Sequence, residues 1–164
     1  RGLGDVYKRQ ISMSLIMVVD TISDFLVSNN YTKKFIAIDY GLKHIGMAIS
    51  DPSNIISVPY GTFTETLLFE KIIEIITTEN VHGVVIGKPY HLDGSLSEMV
   101  NKVEKFAEKL EKIISCPILF IDERLSSNPY KSRKKSENTH IHEKSACLIL
   151  DDFLSLYRNS SSEK

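Results

Sequence analysis

Phe35-Ile36-Ala37-Ile38-Asp39-Tyr40-Gly41 is an apolar strand that ends in a carboxylate and runs into a glycine turn. Gly41-Leu42-Lys43-His44 then gives the spacing of a tight hairpin before a second apolar strand, Ile45-Gly46-Met47-Ala48-Ile49-Ser50-Asp51. A second carboxylate-bearing strand stands far downstream, Ile118-Leu119-Phe120-Ile121-Asp122-Glu123-Arg124. Two acids displayed at strand ends suit a divalent cation. Hard ions such as Mg²⁺ take oxygen ligands and are held by one or two carboxylates together with substrate phosphates. The pattern points to phosphodiester chemistry.

Working outward, Ile56–Phe63 reads as a third strand. Thr64 caps a helix that runs to about Thr78, with Leu68, Ile72, Ile75 and Ile76 on its apolar stripe. Val81–Ile86 is nearly continuously apolar, as for a strand covered on both faces, and Gly87-Lys88-Pro89 ends it. Leu92-Asp93-Gly94-Ser95 is a turn. Ser97 to about Ile114 is an amphipathic helix with Val100, Val103, Phe106, Ala107 and Leu110 on one face. Pro117–Ile121 is the fifth strand. A polar stretch, Ser126–His142, leads into a last helix from about Glu143 to Tyr157, which buries Ala146, Ile149, Leu150 and Phe153. Upstream, Leu15, Val18, Val19, Ile22 and Leu26 recur at helical spacing and predict a short helix over Leu15–Val27. The order β-β-β-α-β-α-β-α implies an α/β fold, a five-stranded mixed sheet with helices on both faces. Its crossover pairs are expected to be parallel and right-handed.

A length of 164 residues suits one core. The net charge of -1 provides no global basic field, so any nucleic-acid contact must use a local patch. One such patch is the run Lys131, Arg133, Lys134 and Lys135 beside Tyr130, which either tracks a phosphate backbone or is merely solvated. Cys116 and Cys147 lack metal-ligand spacing and read as two buried thiols of a reduced, cytoplasmic protein. No apolar run reaches transmembrane length, and Leu15–Val19 is broken by Asp20, so no membrane partner is expected. His82 and His91 have no partner spacing and are expected to be structural or exposed. Arg1–Gln10 reads as a non-native tail, with Met13 or Met17 as the start. Residues 11–30 read as an N-terminal helical extension, 31–158 as the main folded domain and 159–164 as a disordered tail.

The segment Asp39–Asp51 resembles the opening motif of the YqgF (RuvX) family. Its members are described as candidate Holliday-junction resolvases or pre-16S rRNA nucleases with a ribonuclease H-like fold. Three further blocks agree in order and spacing. They are Val85-Ile86-Gly87-Lys88-Pro89 with Asp93-Gly94-Ser95, then Phe106-Ala107-Glu108-Lys109-Leu110, then Asp122-Glu123-Arg124-Leu125-Ser126-Ser127. The resemblance spans roughly Phe35–Leu154 and implies a nuclease domain. It implies that Asp39 is the essential metal-binding aspartate of the central strand. Only one of Asp122 and Glu123 can face the site, and the resemblance favours Glu123 as ligand with Asp122 supporting. Gly87, where many relatives of this fold carry an acid, leaves room for the acid of the fifth strand. Lys43, His44, Lys88, Arg124, Ser126 and Ser127 are the candidate substrate contacts, with Arg124 able to clamp a phosphate bidentately.

The chain also departs from that family. His44 stands where an arginine is usual, and the connection from Glu123 to the last helix is short. The family's last motif begins with an aspartate, and His142 falls at that position with Glu143 one residue away. Two readings stand. In one, His140, His142 and Glu143 furnish a metal end, Glu143 serving as the third ligand. In the other, that ligand is lost and the histidines are solvated.

The resemblance implies a hydrolase acting on ester bonds, with Mg²⁺ or Mn²⁺ held by Asp39, Glu123 and Glu143 or His142. Two such ions about 3.5–4 Å apart stabilise the attacking and leaving oxygens of an in-line displacement. The expected partner is nucleic acid, either precursor rRNA during 5′-end maturation of 16S rRNA or branched DNA. The expected state is a monomer or a homodimer, the dimer serving junction resolution. A catalytically degenerate nucleic-acid-binding module is the alternative from another class. An ATP-binding protein of the actin-like fold would need a second phosphate loop, which this chain lacks.

Overall fold

The computed structural model describes residues 18–27, 33–90, 98–122 and 139–161. In chain order the elements are β1 (Val18–Val19), α1 (Ile22–Phe25), β2 (Lys34–Asp39), β3 (Ile45–Ser50), β4 (Ser57–Phe63) and α2 (Glu65–Thr78). Then follow β5 (Val81–Lys88), α3 (Glu98–Glu111), β6 (Ile118–Asp122) and α4 (Thr139–Ser161). The strands form one sheet in the order β1-β6-β5-β2-β3-β4. β2, β3 and β4 pair antiparallel, whereas β2–β5, β5–β6 and β6–β1 are parallel. The mixed sheet with helices on both faces therefore agrees with the sequence pattern, with one strand more than expected.

The extra strand replaces the helix expected over Leu15–Val27. Val18 and Val19 pair in parallel with Ile118 and Leu119 on the open edge of β6. Helical spacing survives only in α1, whose N-cap Thr21 accepts from the amide of Asp24 at 3.1 Å. Two β-branched valines gain more from an unpaired strand edge than from another turn of helix. At the other end, α4 begins at Thr139, ahead of the expected Glu143, and continues to Ser161.

Alternation along the strands divides the core into two layers. Ile36, Ile38, Met47, Val84, Ile86 and Ile118 face α2 and α3. Phe35, Ala37, Ala48, Val85 and Leu119 face α1 and α4, where Ala146, Ile149, Leu150, Phe153 and Leu154 meet them. The small residues Ala37 and Ala48 let α4 lie close to the sheet. As expected, Thr64 caps α2, accepting from the Leu67 amide at 3.3 Å.

Two polar clusters in this frame are structural. Ser50 Oγ accepts from the Phe35 amide at 2.9 Å and donates to Asn54 Oδ1 at 2.6 Å, which locks the β3 exit to the β2 entry. Asp51, the last residue of the opening motif, accepts from the amides of Ser53, Ile55 and Ile56 and so ties the turn after β3. Backbone hydrogen bonds, that from Ile56 foremost, hold its carboxyl below the usual range. The thiol of Cys116 is buried and pushed up to about 11 by desolvation, which keeps it inert.

His82 is buried between the rings of Phe25 and Phe35. Its Nε2 lies 2.7 Å from the Phe25 carbonyl oxygen, so the neutral ring carries its proton there and donates it. Burial lowers the imidazole pKa below its ordinary 6.5, and the bond to Phe25 only partly opposes that. The folded state then binds fewer protons than the unfolded chain once the pH drops below the unfolded value. Stability held above about pH 6.5 is expected to fall as the pH descends through the folded pKa. Thermal midpoints measured between pH 8 and pH 5 check this: His82→Gln should flatten the acid limb relative to the parent. An equally steep limb in the variant would assign the loss to other groups.

Candidate active site

The site is built on one row of residues across three strands. Asp39 pairs with Gly46 across β2 and β3, and Gly46 pairs with Thr62 across β3 and β4. Asp39 continues the alternation of Phe35 and Ala37, so it faces the α4 side of the sheet. On its other flank stands Gly87, one step past the Ile38–Ile86 pair. Asp39 thus has glycine on both sides.

Those glycines fix what lies above it. A Cβ at residue 46 would fall inside the carbonyl group of His142 and 2.9 Å from the amide nitrogen of Glu143. The first turns of α4 therefore rest on bare β3 backbone, a close approach that only glycine permits. Likewise a Cβ at Gly41 would lie 3.2 Å from His142 Cε1. The imidazole of His142 is held in the notch between the hairpin and the end of β2. Its Nδ1 stands 3.5 Å from Asp39 Oδ2, and the ring of His44 stands 6.0 Å from its ring.

Asp39 is 7% exposed. Among the described residues His142 is its partner, at a distance too long for a hydrogen bond of ordinary strength. A buried carboxylate normally collects N–H or O–H donors, because its desolvation is otherwise uncompensated. Here it faces the Nδ1 of an imidazole across a short gap. In the tautomer protonated at Nε2 that nitrogen offers a lone pair, and a carboxylate oxygen and a ring nitrogen around one point fit a cation. Among the described residues no group of three or more His, Cys, Asp or Glu side chains forms a metal cage.

The other expected site residues divide by position. Glu143 was expected as a metal ligand, yet its Oε1 accepts from Thr62 Oγ1 at 3.0 Å, over β4. Adjacent helix residues point about 100° apart, so when His142 turns to Asp39 its neighbour turns away. Asp122 pairs with Lys88 and follows Phe120 in the alternation, which puts it on the α2–α3 side, opposite Asp39. Lys88 lies on that opposite side too, expected though it was as a substrate contact. Its ammonium is 2.7 Å from Glu104 of α3 and 4.2 Å from the ring centroid of Phe120. Burial pulls its pKa down, but the hydrogen bonds to Glu104 and Tyr90 outweigh that and raise it. Lys43 is exposed at the hairpin tip and His44 half-buried beside the site. Glu123, Arg124, Ser126, Ser127, the basic run with Tyr130, His91, the turn Leu92–Ser95 and the side chain of His140 lie outside the described residues.

Two residues that shape the site, Gly46 and Thr62, were not among the expected ones. A lone glycine inside an apolar strand is the available signal for the first, since it marks a bulge or a close backbone approach. Nothing local marks Thr62, whose role comes from its register.

The sequence profile of the RuvX family, described as Holliday junction resolvase, matches residues 33–156. The chain belongs to the RuvX family. Its relatives include a protein of Rickettsia peacockii, 34% identical over 153 residues, covering 87% of this chain and 99% of the relative. One from Orientia tsutsugamushi is 32% identical over 155 residues, 89% and 99% of the two chains. One from Maridesulfovibrio salexigens is 42% identical over 97 residues, 57% of this chain and 72% of the relative. All three bear the name "Putative pre-16S rRNA nuclease". In three dimensions the chain is similar to Thermus thermophilus RuvC, solved in complex with a Holliday junction substrate. The TM-score is 0.52 at 7% identity, over 77% of this chain and 96% of that one. That likeness establishes the ribonuclease H-like fold expected for a RuvX member. No helix among the described residues is long and apolar enough to cross a membrane.

Proposed function

We propose that this chain is a metal-dependent nuclease that hydrolyses phosphodiester bonds in the 5′-end maturation of precursor 16S rRNA. The observation that carries the reading is Asp39, a buried carboxylate at the end of the central strand with the Nδ1 of the His142 imidazole 3.5 Å from its Oδ2. The names of the relatives support the substrate class.

Asp39 and His142 would hold the divalent ion, Mg²⁺ or Mn²⁺, together with Glu123. Asp122 falls on the far face of the sheet, and Glu123, next in sequence, is the acid the reading assigns to the site. A bound ion supplies Lewis-acid stabilisation of the charge that builds on the phosphoryl oxygens. The chain's own contribution is to fix the donors. Gly46 seats α4, and Glu143 bonded to Thr62 stops the helix from rotating, so His142 stays aimed at Asp39. The exposed Lys43 and the half-buried His44 flank the opening and would meet the phosphate backbone. Lys88 would brace β5 against α3.

The family description favours a second reading, resolution of DNA four-way junctions, which needs two sites on a symmetric dimer. One experiment separates the two. The full chain is incubated with a 16S rRNA precursor carrying its 5′ leader and with a DNA four-way junction, each with Mg²⁺ or Mn²⁺. Cleavage of the RNA alone is the expected result. Paired symmetric nicks in the junction would move the function to DNA. Binding of either substrate without cleavage would make the chain a degenerate nucleic-acid-binding module.

A further inference from the structure

We infer that His142 makes the Asp39 centre selective for a first-row transition-metal dication, of which Mn²⁺ is the simplest probe, over Mg²⁺. The inference rests on the reading of Asp39 as the metal-holding carboxylate and adds which class of ion it takes. Three observations carry it. The Nδ1 of His142 stands 3.5 Å from Asp39 Oδ2 on the α4 side. The His142 backbone sits directly on Gly46, and its ring occupies the space beside Gly41, where a Cβ would stand 3.2 Å from Cε1. The acid next in sequence, Glu143, places its Oε1 on the Thr62 hydroxyl of β4, at 3.0 Å.

The chemistry follows from the donor atoms. Mg²⁺ demands near-ideal octahedral oxygen ligation and sheds water reluctantly. Imidazole nitrogen suits the later first-row ions, and carboxylate and water suit Mg²⁺, Ca²⁺ and Mn²⁺. A mixed pair of one carboxylate oxygen and one imidazole nitrogen therefore penalises Mg²⁺ and still accepts Mn²⁺. Replacing the imidazole by a carboxylate adds a negative charge and a hard oxygen at the same point, which favours Mg²⁺.

The test measures binding directly on the full chain at about pH 8, where free imidazole is neutral. Free Mn²⁺ is followed by electron paramagnetic resonance, with Mg²⁺ as competitor, for the parent, His142→Asp, His142→Gln and Asp39→Asn. The preference for Mn²⁺ over Mg²⁺ should fall at least about tenfold in His142→Asp. Pulsed spectra of bound Mn²⁺ should show ¹⁴N coupling in the parent and none in either His142 variant. Thermal melts establish that each variant is folded, and the near-isosteric glutamine variant stands in if the aspartate does not fold. No bound Mn²⁺ in the parent, no ¹⁴N coupling, or an unchanged preference in His142→Asp would each overturn the inference. Failure of the nuclease reading looks different: nitrogen-coupled Mn²⁺ would be present, and neither the rRNA precursor nor the junction would be cut.

Discussion

Asp39→Asn is expected to lower metal-dependent cleavage by about a hundredfold or more, without destabilising the domain. The two halves of that result have one cause. The carboxylate is buried, and among the described residues it faces only the imidazole of His142, at 3.5 Å. With that one partner among the described residues, a buried carboxylate has given up water for little in return, which costs free energy. Asparagine has the same shape and no charge. The thermal midpoint should therefore stay level or rise by the few degrees that about 1 kcal/mol confers on a domain of this size. Groups that serve chemistry commonly cost stability in this way. Cleavage and unfolding measured on the same preparations check both halves. A variant that still cuts at the parental rate would remove Asp39 from the chemistry. One that loses activity by unfolding would make Asp39 a structural residue.

Gly46→Ala is expected to be the most damaging glycine-to-alanine change among the described residues, at about 3 kcal/mol, or roughly 6–12 °C in thermal midpoint. The added carbon would occupy the space of the His142 carbonyl, and the Glu143 amide lies 2.9 Å from it. Both neighbours are backbone of a long helix whose far end is anchored by Phe153 and Tyr157 in the core, so neither can step aside. Alanine's better strand propensity returns less than 1 kcal/mol. The helix start must tilt off β3, and His142 leaves Asp39 with it. Binding of Mn²⁺ should fall together with stability. Gly61→Ala is the control: its Cβ would meet only ring atoms of Phe63 at 3.2 Å, on an edge strand, and a few tenths of an ångström of ring movement accommodates it. Urea titrations of the two variants give the comparison. Equal and small losses in both would show that α4 is not seated on Gly46 as described.

These two residues also mark how far the chain could be read without its fold. Asp39 was legible because it combines three local signals: a β-branched apolar run, a carboxylate at its end, and a glycine turn. Gly46 stood in plain view inside an apolar strand, but what approaches a glycine is never written beside it. Val18 and Val19 carried helical spacing with their neighbours and became a strand, because β6 had an edge to pair and they were the residues that reached it. Lys88 looked like a free cation at a strand end. The opposite face of the sheet had already supplied Glu104 to it.

By itself, the sequence determined the elements and their facing. Periods of two and of 3.6 residues are set by backbone geometry, so the apolar positions announced both layers of the core and the helices that cover them. It also determined the family, through four blocks in order. Only the tertiary structure decided which residue of the pair His142–Glu143 stands over Asp39. Sequence places the two one position apart, and either could occupy the family's acidic position. Their separation about the helix axis turns that single step into opposite destinations. Which destination each one reaches is set by how deeply α4 sinks onto Gly46 and by the hydroxyl of Thr62 that holds Glu143 aside.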